Sequence, residues 1–220
     1  MSPRVSFDNE LKLLKRNVAD MVNRVEENYE RLFEALREQK EEEIIKIRNN
    51  DKMFGKKQRE IESQCLFLIT KQQPVASDLR VVTASLKVVT DIERIGDIVA
   101  DMAELLLRLK LKDLALFSVH IDGMIDATRE MFLNAVDAFV NRNMEGAKKV
   151  IKEDDVIDEL FNKVKSDLIE SLKKEIKDAD ECIDVLMLAK YLEKIGDHAV
   201  NIGQWEIFQE TGNISDMRLL

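Results

Sequence analysis

The sequence predicts an all-α protein: six long helices forming two tandem, pseudo-symmetric three-helix bundles. Three observations carry that expectation. Helix breakers are scarce, with 7 Gly and 2 Pro in 220 residues. Apolar residues recur at three- and four-residue steps over long stretches. The whole pattern then repeats once with a period near 100 residues, which is too long for a solenoid unit.

Taken in order, Leu11, Leu14, Val18, Met21, Val22, Val25, Tyr29, Leu32, Phe33 and Leu36 lay out one apolar face of a first helix. A second helix runs from about Glu42 to Thr70. Pro74 stops it, because proline lacks a backbone N–H and disfavours helix in the residue before it. Ser77 or Asp78 is suited to cap a third helix, which continues through Leu86, Val89, Ile92, Ile95, Val99, Met102 and Leu106. The pattern then restarts. Leu114, Phe117, Ile121, Met124, Phe132, Val136 and Phe139 echo the first helix, and a shift of 103 residues places Phe132 on Tyr29 and Asp154 on Asp51. Asn141 to Asn143 mark a turn. A fifth helix spans about Glu145 to Lys174, and a sixth begins near Asp178 to Asp180 and ends near Gly212. Three apolar stripes per half are buried most simply in a three-helix bundle. The expected units are residues 1–110 and 111–220.

Composition narrows the function classes. The net charge is -9, with Lys and Arg dispersed among Asp and Glu, so a nucleic-acid backbone is an unfavourable partner. Cys65 and Cys182 show no CxxC spacing and read as reduced, buried thiols of a cytoplasmic protein. The first sixteen residues hold no apolar signal-peptide core, and no apolar run approaches a membrane span.

The chemically pointed feature lies in the third and sixth helices. Glu93, Asp97 and Asp101 are spaced four apart, as are Glu193, Asp197 and Asn201. Over eight residues such positions drift by only about 80° around a helix, so each set forms a stripe. Like charges at this spacing destabilise a helix by a few tenths of a kcal/mol. Gly96 and Gly196, inside the same helices, cost about 1 kcal/mol each relative to alanine. Close approach to the backbone, or an ion on the carboxylates, makes such a combination tolerable. Hard cations such as Mg, Mn or Fe take oxygen ligands of this kind. Asp154 and Asp158 on the neighbouring helix could complete the second set. In the first set Asp51 matches Asp154, but Gly55 stands where Asp158 would be. The competing reading is a solvated acidic face, with Arg94 and Lys194 as surface partners of Asp97 and Asp197. Residues alone leave both readings open. His198 and His120 lack the Glu-x-x-His spacing of di-iron bundles, and neither a phosphate loop nor a catalytic triad signature is present.

Three segments together resemble the PhoU family: Gln72-Gln73-Pro74-Val75-Ala76-Ser77-Asp78-Leu79-Arg80, then Asp91-Ile92-Glu93-Arg94-Ile95-Gly96-Asp97, and then Leu192-Glu193-Lys194-Ile195-Gly196-Asp197-His198 with Trp205 beyond it. The resemblance spans nearly the whole chain. It implies a cytoplasmic, non-enzymatic regulator that restrains a phosphate ABC transporter through its ATPase subunit. It also implies that the protein keeps a phosphate sensor histidine kinase off, as a homodimer reaching the membrane only through partners. The family's carboxylate motifs hold multinuclear metal clusters in some members and are empty in others. Carried over, the ligands fall on Glu93, Asp97 and Asp101 and on Glu193, Asp197 and Asn201, with Asp154, Asp158 and Asp51 beside them. Iron is the first expectation, with zinc, manganese or magnesium as alternatives. The rival readings are a carboxylate-bridged metalloenzyme, which the missing histidine ligands disfavour, and a metal-free helical scaffold.

Overall fold

The computed structural model describes residues 3–49, 51–74, 76–109, 119–174 and 179–213. These form α1 (Pro3–Arg37), α2 (Glu41–Arg48), α3 (Asp51–Gln72), α4 (Ala76–Arg108), α5 (Val119–Asn141), α6 (Met144–Lys173) and α7 (Ala179–Thr211), without a strand among the described residues. Helices α1 to α4 make the first half and α5 to α7 the second. The expected all-α, duplicated architecture is what the chain adopts, with one amendment: the second helix is two, interrupted at Asn49. Periodicity hides the break because Ile47, Phe54, Ile61 and Leu68, all buried, keep seven-residue spacing through it.

The helix ends follow local chemistry. Asn143 caps α6, its Oδ1 accepting from the Gly146 N–H at 3.0 Å, which satisfies a donor the helix leaves orphaned. Ahead of α4, Gln73 (φ 44°) and Ala76 (φ 45°) sit in the left-handed region on either side of Pro74 and Val75. Helix α4 begins at Ala76, so Ser77 and Asp78 lie in its first turn rather than before it, where Asp78 complements the helix dipole. Leu114, Phe117 and Asp178 lie outside the described residues.

One aliphatic core runs through both halves, with Leu14, Met21, Leu32, Ile92, Ile95, Met102, Leu188 and Ile195 fully enclosed. The halves meet chiefly along α4 and α7, with lesser contact between α1 and α5. Polar ties fix this seam at both ends. At one end the buried Tyr29 hydroxyl donates to the Ile125 carbonyl at 2.7 Å and shares a hydrogen bond with Thr128, and Arg129 bridges Glu26 and Glu30. At the other, Lys15 Nζ donates to the Val140 carbonyl at 2.9 Å. There Arg80 also donates to the last-turn carbonyls of α7, from Nε to Gln209 at 3.1 Å and from Nη2 to Glu210 at 3.4 Å.

Candidate metal centre

The repeated glycines decide how closely each stripe is approached. A Cβ built on Gly196 would stand 3.4 Å from Asp154 Oδ1 and 3.6 Å from Ile157, so the missing side chain lets α6 lay a carboxylate against the backbone of α7. Around it the second half gathers the acids the sequence suggested. Burial pushes the Asp154 carboxyl up to about 6, and Asp158, Asp197, Glu193 and Asp155 crowd it further in that direction. Glu193 is 16% exposed; its Oε1 accepts from Lys190 Nζ at 2.5 Å, while its Oε2 is buried with no hydrogen-bond partner. Asp197 accepts from Lys194 Nζ at 2.7 Å, and Lys190 also stands over the Phe161 ring, 5.7 Å from its centre.

The first half is built differently on the same plan. A Cβ on Gly96 would lie 2.7 Å from Cδ2 of Phe54, the residue equivalent to Ile157, so an aromatic ring fills the place where the second half admits Asp154. At Gly55 an added Cβ would be 3.5 Å from both Arg59 Nη1 and Glu93 Oε1. A guanidinium therefore shares the notch that faces Glu93, where the second half has Asp158. Arg94 stands 3.9 Å from Glu93 and 4.0 Å from Asp97. Burial raises the Glu93 carboxyl, Asp97 adds to this, and Arg94 opposes it. The Asp51 side chain lies outside the described residues.

The third positions of both stripes go elsewhere. Asn201, expected among the ligands, is turned into the seam between halves, where its Nδ2 donates to Asp91 Oδ1 at 3.1 Å. The same oxygen meets His198 Nδ1 at 2.9 Å. Asp101 is exposed and acts across this seam on Tyr191, whose hydroxyl is raised first by burial and then by that charge. The physical reason is the helical drift, which by the second turn has carried these positions round toward the partner helix. His120 pairs with Asp167 at 2.7 Å, tying α5 to α6.

Asp158, Asp197 and Glu193 lie close enough for their charges to act on Asp154, and all four side chains offer oxygen donors. Among the described residues, no three His, Cys, Asp or Glu side chains are grouped so as to hold a metal ion; Lys190 and Lys194 pair with two of the four acids instead. The orphaned Glu193 oxygen and the raised Asp154 carboxyl show that this neutralisation is incomplete. The sequence reading missed three groups. Asp91 lies inside a quoted motif but earned no role. Arg80 closes another motif, and its partner is a helix end 129 residues away. Glu206 continues the buried series Leu192, Ile195, Ala199, Ile202, and an acid on that face was the available signal.

Comparison with known proteins gives a consistent picture. The family model described as "PhoU domain" matches twice, over residues 18–106 and 121–205. A phosphate-specific transport system accessory protein PhoU homolog of Clostridium acetobutylicum is 32% identical over 97% of this chain and 98% of its own. A homolog of Thermotoga maritima is also 32% identical, over 96% and 92%. Among solved structures, the phosphate transport system regulatory protein PhoU of Streptococcus pneumoniae superposes with a TM-score of 0.88 at 26% identity, covering 96% of this chain and all of that one. PhoU of Pseudomonas aeruginosa gives 0.86 at 25%, covering 94% and 100%.

Proposed function

We propose, for a chain that belongs to the PhoU family, a non-enzymatic accessory role in phosphate-specific transport. The observation that carries this reading is the doubled PhoU domain, matched over most of both halves and over nearly the full length of relatives named as accessory proteins of that system. The protein acts in the cytoplasm by protein contact. It restrains the transporter's ATPase subunit when phosphate is plentiful and holds the phosphate sensor histidine kinase inactive. No described helix is long and apolar enough to cross a membrane, which suits a protein brought to the membrane by its partners. The test is co-purification of the intact protein with each partner at high and low phosphate. Association with the ATPase subunit or the kinase that rises with phosphate supports the reading; no association with either at any phosphate level would falsify it.

The carboxylate seam of α6 and α7 gives this adaptor a cation-dependent state. Glu193 and Asp197 exchange Lys190 and Lys194 for a divalent ion, and Asp154 and Asp158 complete the set. Iron, zinc, manganese or magnesium would supply the positive charge that lets four acids remain ionised side by side. The support for this is the unpartnered Glu193 oxygen beside an Asp154 carboxyl held well above its ordinary range.

A further inference from the structure

Glu206 is fully buried in the last turns of α7. Its Oε2 accepts from the Gln209 side chain at 2.5 Å, and its Oε1 is enclosed with no partner. An acid in that state is costly to the fold, because a buried, unsatisfied acceptor loses its hydration without compensation. The cost is heavier when the group is charged. Where it sits matters more than what it costs. This end of α7 is where the first half grips the second: Lys15 of α1 reaches the Val140 carbonyl, and Arg80 of α4 holds the carbonyls of Gln209 and Glu210. At Gly212, with φ at +73°, an added Cβ would lie 3.2 Å from Arg80 Cδ, so the chain passes close to the Arg80 stem. Arg142, in the turn between α5 and α6, pairs with Glu210 at 2.6 Å.

The charges that act on Glu206 come from these same groups. Burial raises its carboxyl to about 7, Glu210 pushes it further up, and the Gln209 hydrogen bond, Arg142 and Lys15 pull it down. Lys15 is itself partly enclosed, and burial lowers its ammonium. A neutral Glu206 leaves Lys15 and Arg142 to their present acceptors. An ionised Glu206 is a stronger acceptor than the Val140 carbonyl and an equal rival to Glu210.

We propose that Glu206 is a proton-controlled release for the clasp between the two halves: seated while neutral, and on losing its proton to solvent drawing Lys15 and Arg142 away and loosening the α7 end held by Arg80. Arg80 sits in the second turn of α4, four residues beyond Ala76, whose φ of 45° lies in the left-handed region, so the release acts on the start of α4. The device therefore couples pH near neutrality to how firmly the start of α4 is held, independently of the carboxylate seam.

Trp205, the only tryptophan, adjoins Glu206 and packs edge-to-face on Phe208 at 5.5 Å, so its emission reports on this end of the helix. The experiment follows Trp205 fluorescence of the intact protein from pH 5 to 9 at constant ionic strength. A single transition with a midpoint near 7 is expected. In Glu206→Gln the transition is lost and emission stays at the low-pH value, with far-UV circular dichroism confirming the fold. Lys15→Met moves the midpoint up and Glu210→Gln moves it down; these two carry the test if Glu206→Gln does not fold. No transition in the native protein, an unchanged transition in Glu206→Gln, or shifts of Lys15→Met and Glu210→Gln in one direction would each overturn the proposal.

Discussion

The two halves carry the same Glu-x-Ile-Gly-Asp turn on equivalent helices, yet they solve its charge differently. In the second half α6 brings Asp154 and Asp158 within reach of the charges on Glu193 and Asp197, and Lys190 and Lys194 offset only part of the negative surplus. In the first half Phe54 covers Gly96, Gly55 removes one acid, and Arg59 and Arg94 stand near the remaining pair. The motif fixes two acids on one helix. The facing helix decides whether they meet further acids, as in the second half, or an aromatic ring and a guanidinium, as in the first.

That contrast can be broken most severely at Phe54. Its ring is buried against Gly96, so Phe54→Ala should lower stability to urea by about 3–5 kcal/mol; a loss under about 1 kcal/mol would mean that the ring does not hold the first half together. The glycines themselves should diverge next. Gly96→Ala drives a Cβ into the ring at 2.7 Å, an overpacking cost of about 1–3 kcal/mol that exceeds the roughly 1 kcal/mol gained in helix propensity. Gly196→Ala meets only ordinary contacts at 3.4 and 3.6 Å and should raise the melting temperature. Melting curves that rank the two variants the other way would erase the asymmetry.

Cation binding sharpens the comparison. With untagged protein titrated calorimetrically with Mn²⁺, Asp197→Asn should weaken binding at least about tenfold, while Asp97→Asn leaves it within about twofold; equal losses would show that both halves load. A smaller effect follows from Asp154 in chelator-treated protein. Its folded carboxyl titrates near 6 against an ordinary 3.8, so its contribution to stability is fully present below pH 3.8 and is lost as pH rises through 6. Asp154→Asn should therefore be more stable than the native protein at pH 8, by up to about 1 kcal/mol after allowance for solvent screening, and the difference should vanish by about pH 4. An advantage that grows on acidification would contradict this. The smallest expected change is at Arg94→Ala and Lys194→Ala, each within about 0.5 kcal/mol in denaturation, since both replace partly exposed ion-pair partners.

Much of this was legible in the chain. Apolar spacing located the long helices, and the internal shift of 103 residues aligned Asp154 with Asp51 and Asp158 with Gly55. That Asp154 would come within reach of the charges on Glu193 and Asp197 was also foreseeable, because the two helices are neighbours in the same bundle. The interruption at Asn49 was not, since the heptad from Ile47 to Leu68 passes through it in phase. Asn201 was placed by spacing and by resemblance, neither of which tells which neighbour a slowly turning stripe will meet; it donates to Asp91 on α4. Partners such as Arg80 and the α7 carbonyls depend on packing between segments far apart in the chain, and no local pattern encodes that.

The contact between Phe54 and Gly96 also constrains the order in which this protein can change over evolutionary time. A side chain at position 96 costs stability until the ring at 54 has been reduced, so one order of change is easier than the other. At Gly196 and Ile157 the looser fit leaves either order open. After the duplication the two halves were thus given unequal freedom to drift, and the half with the roomier glycine is the one in which new ligands, or the loss of old ones, can be explored a single substitution at a time.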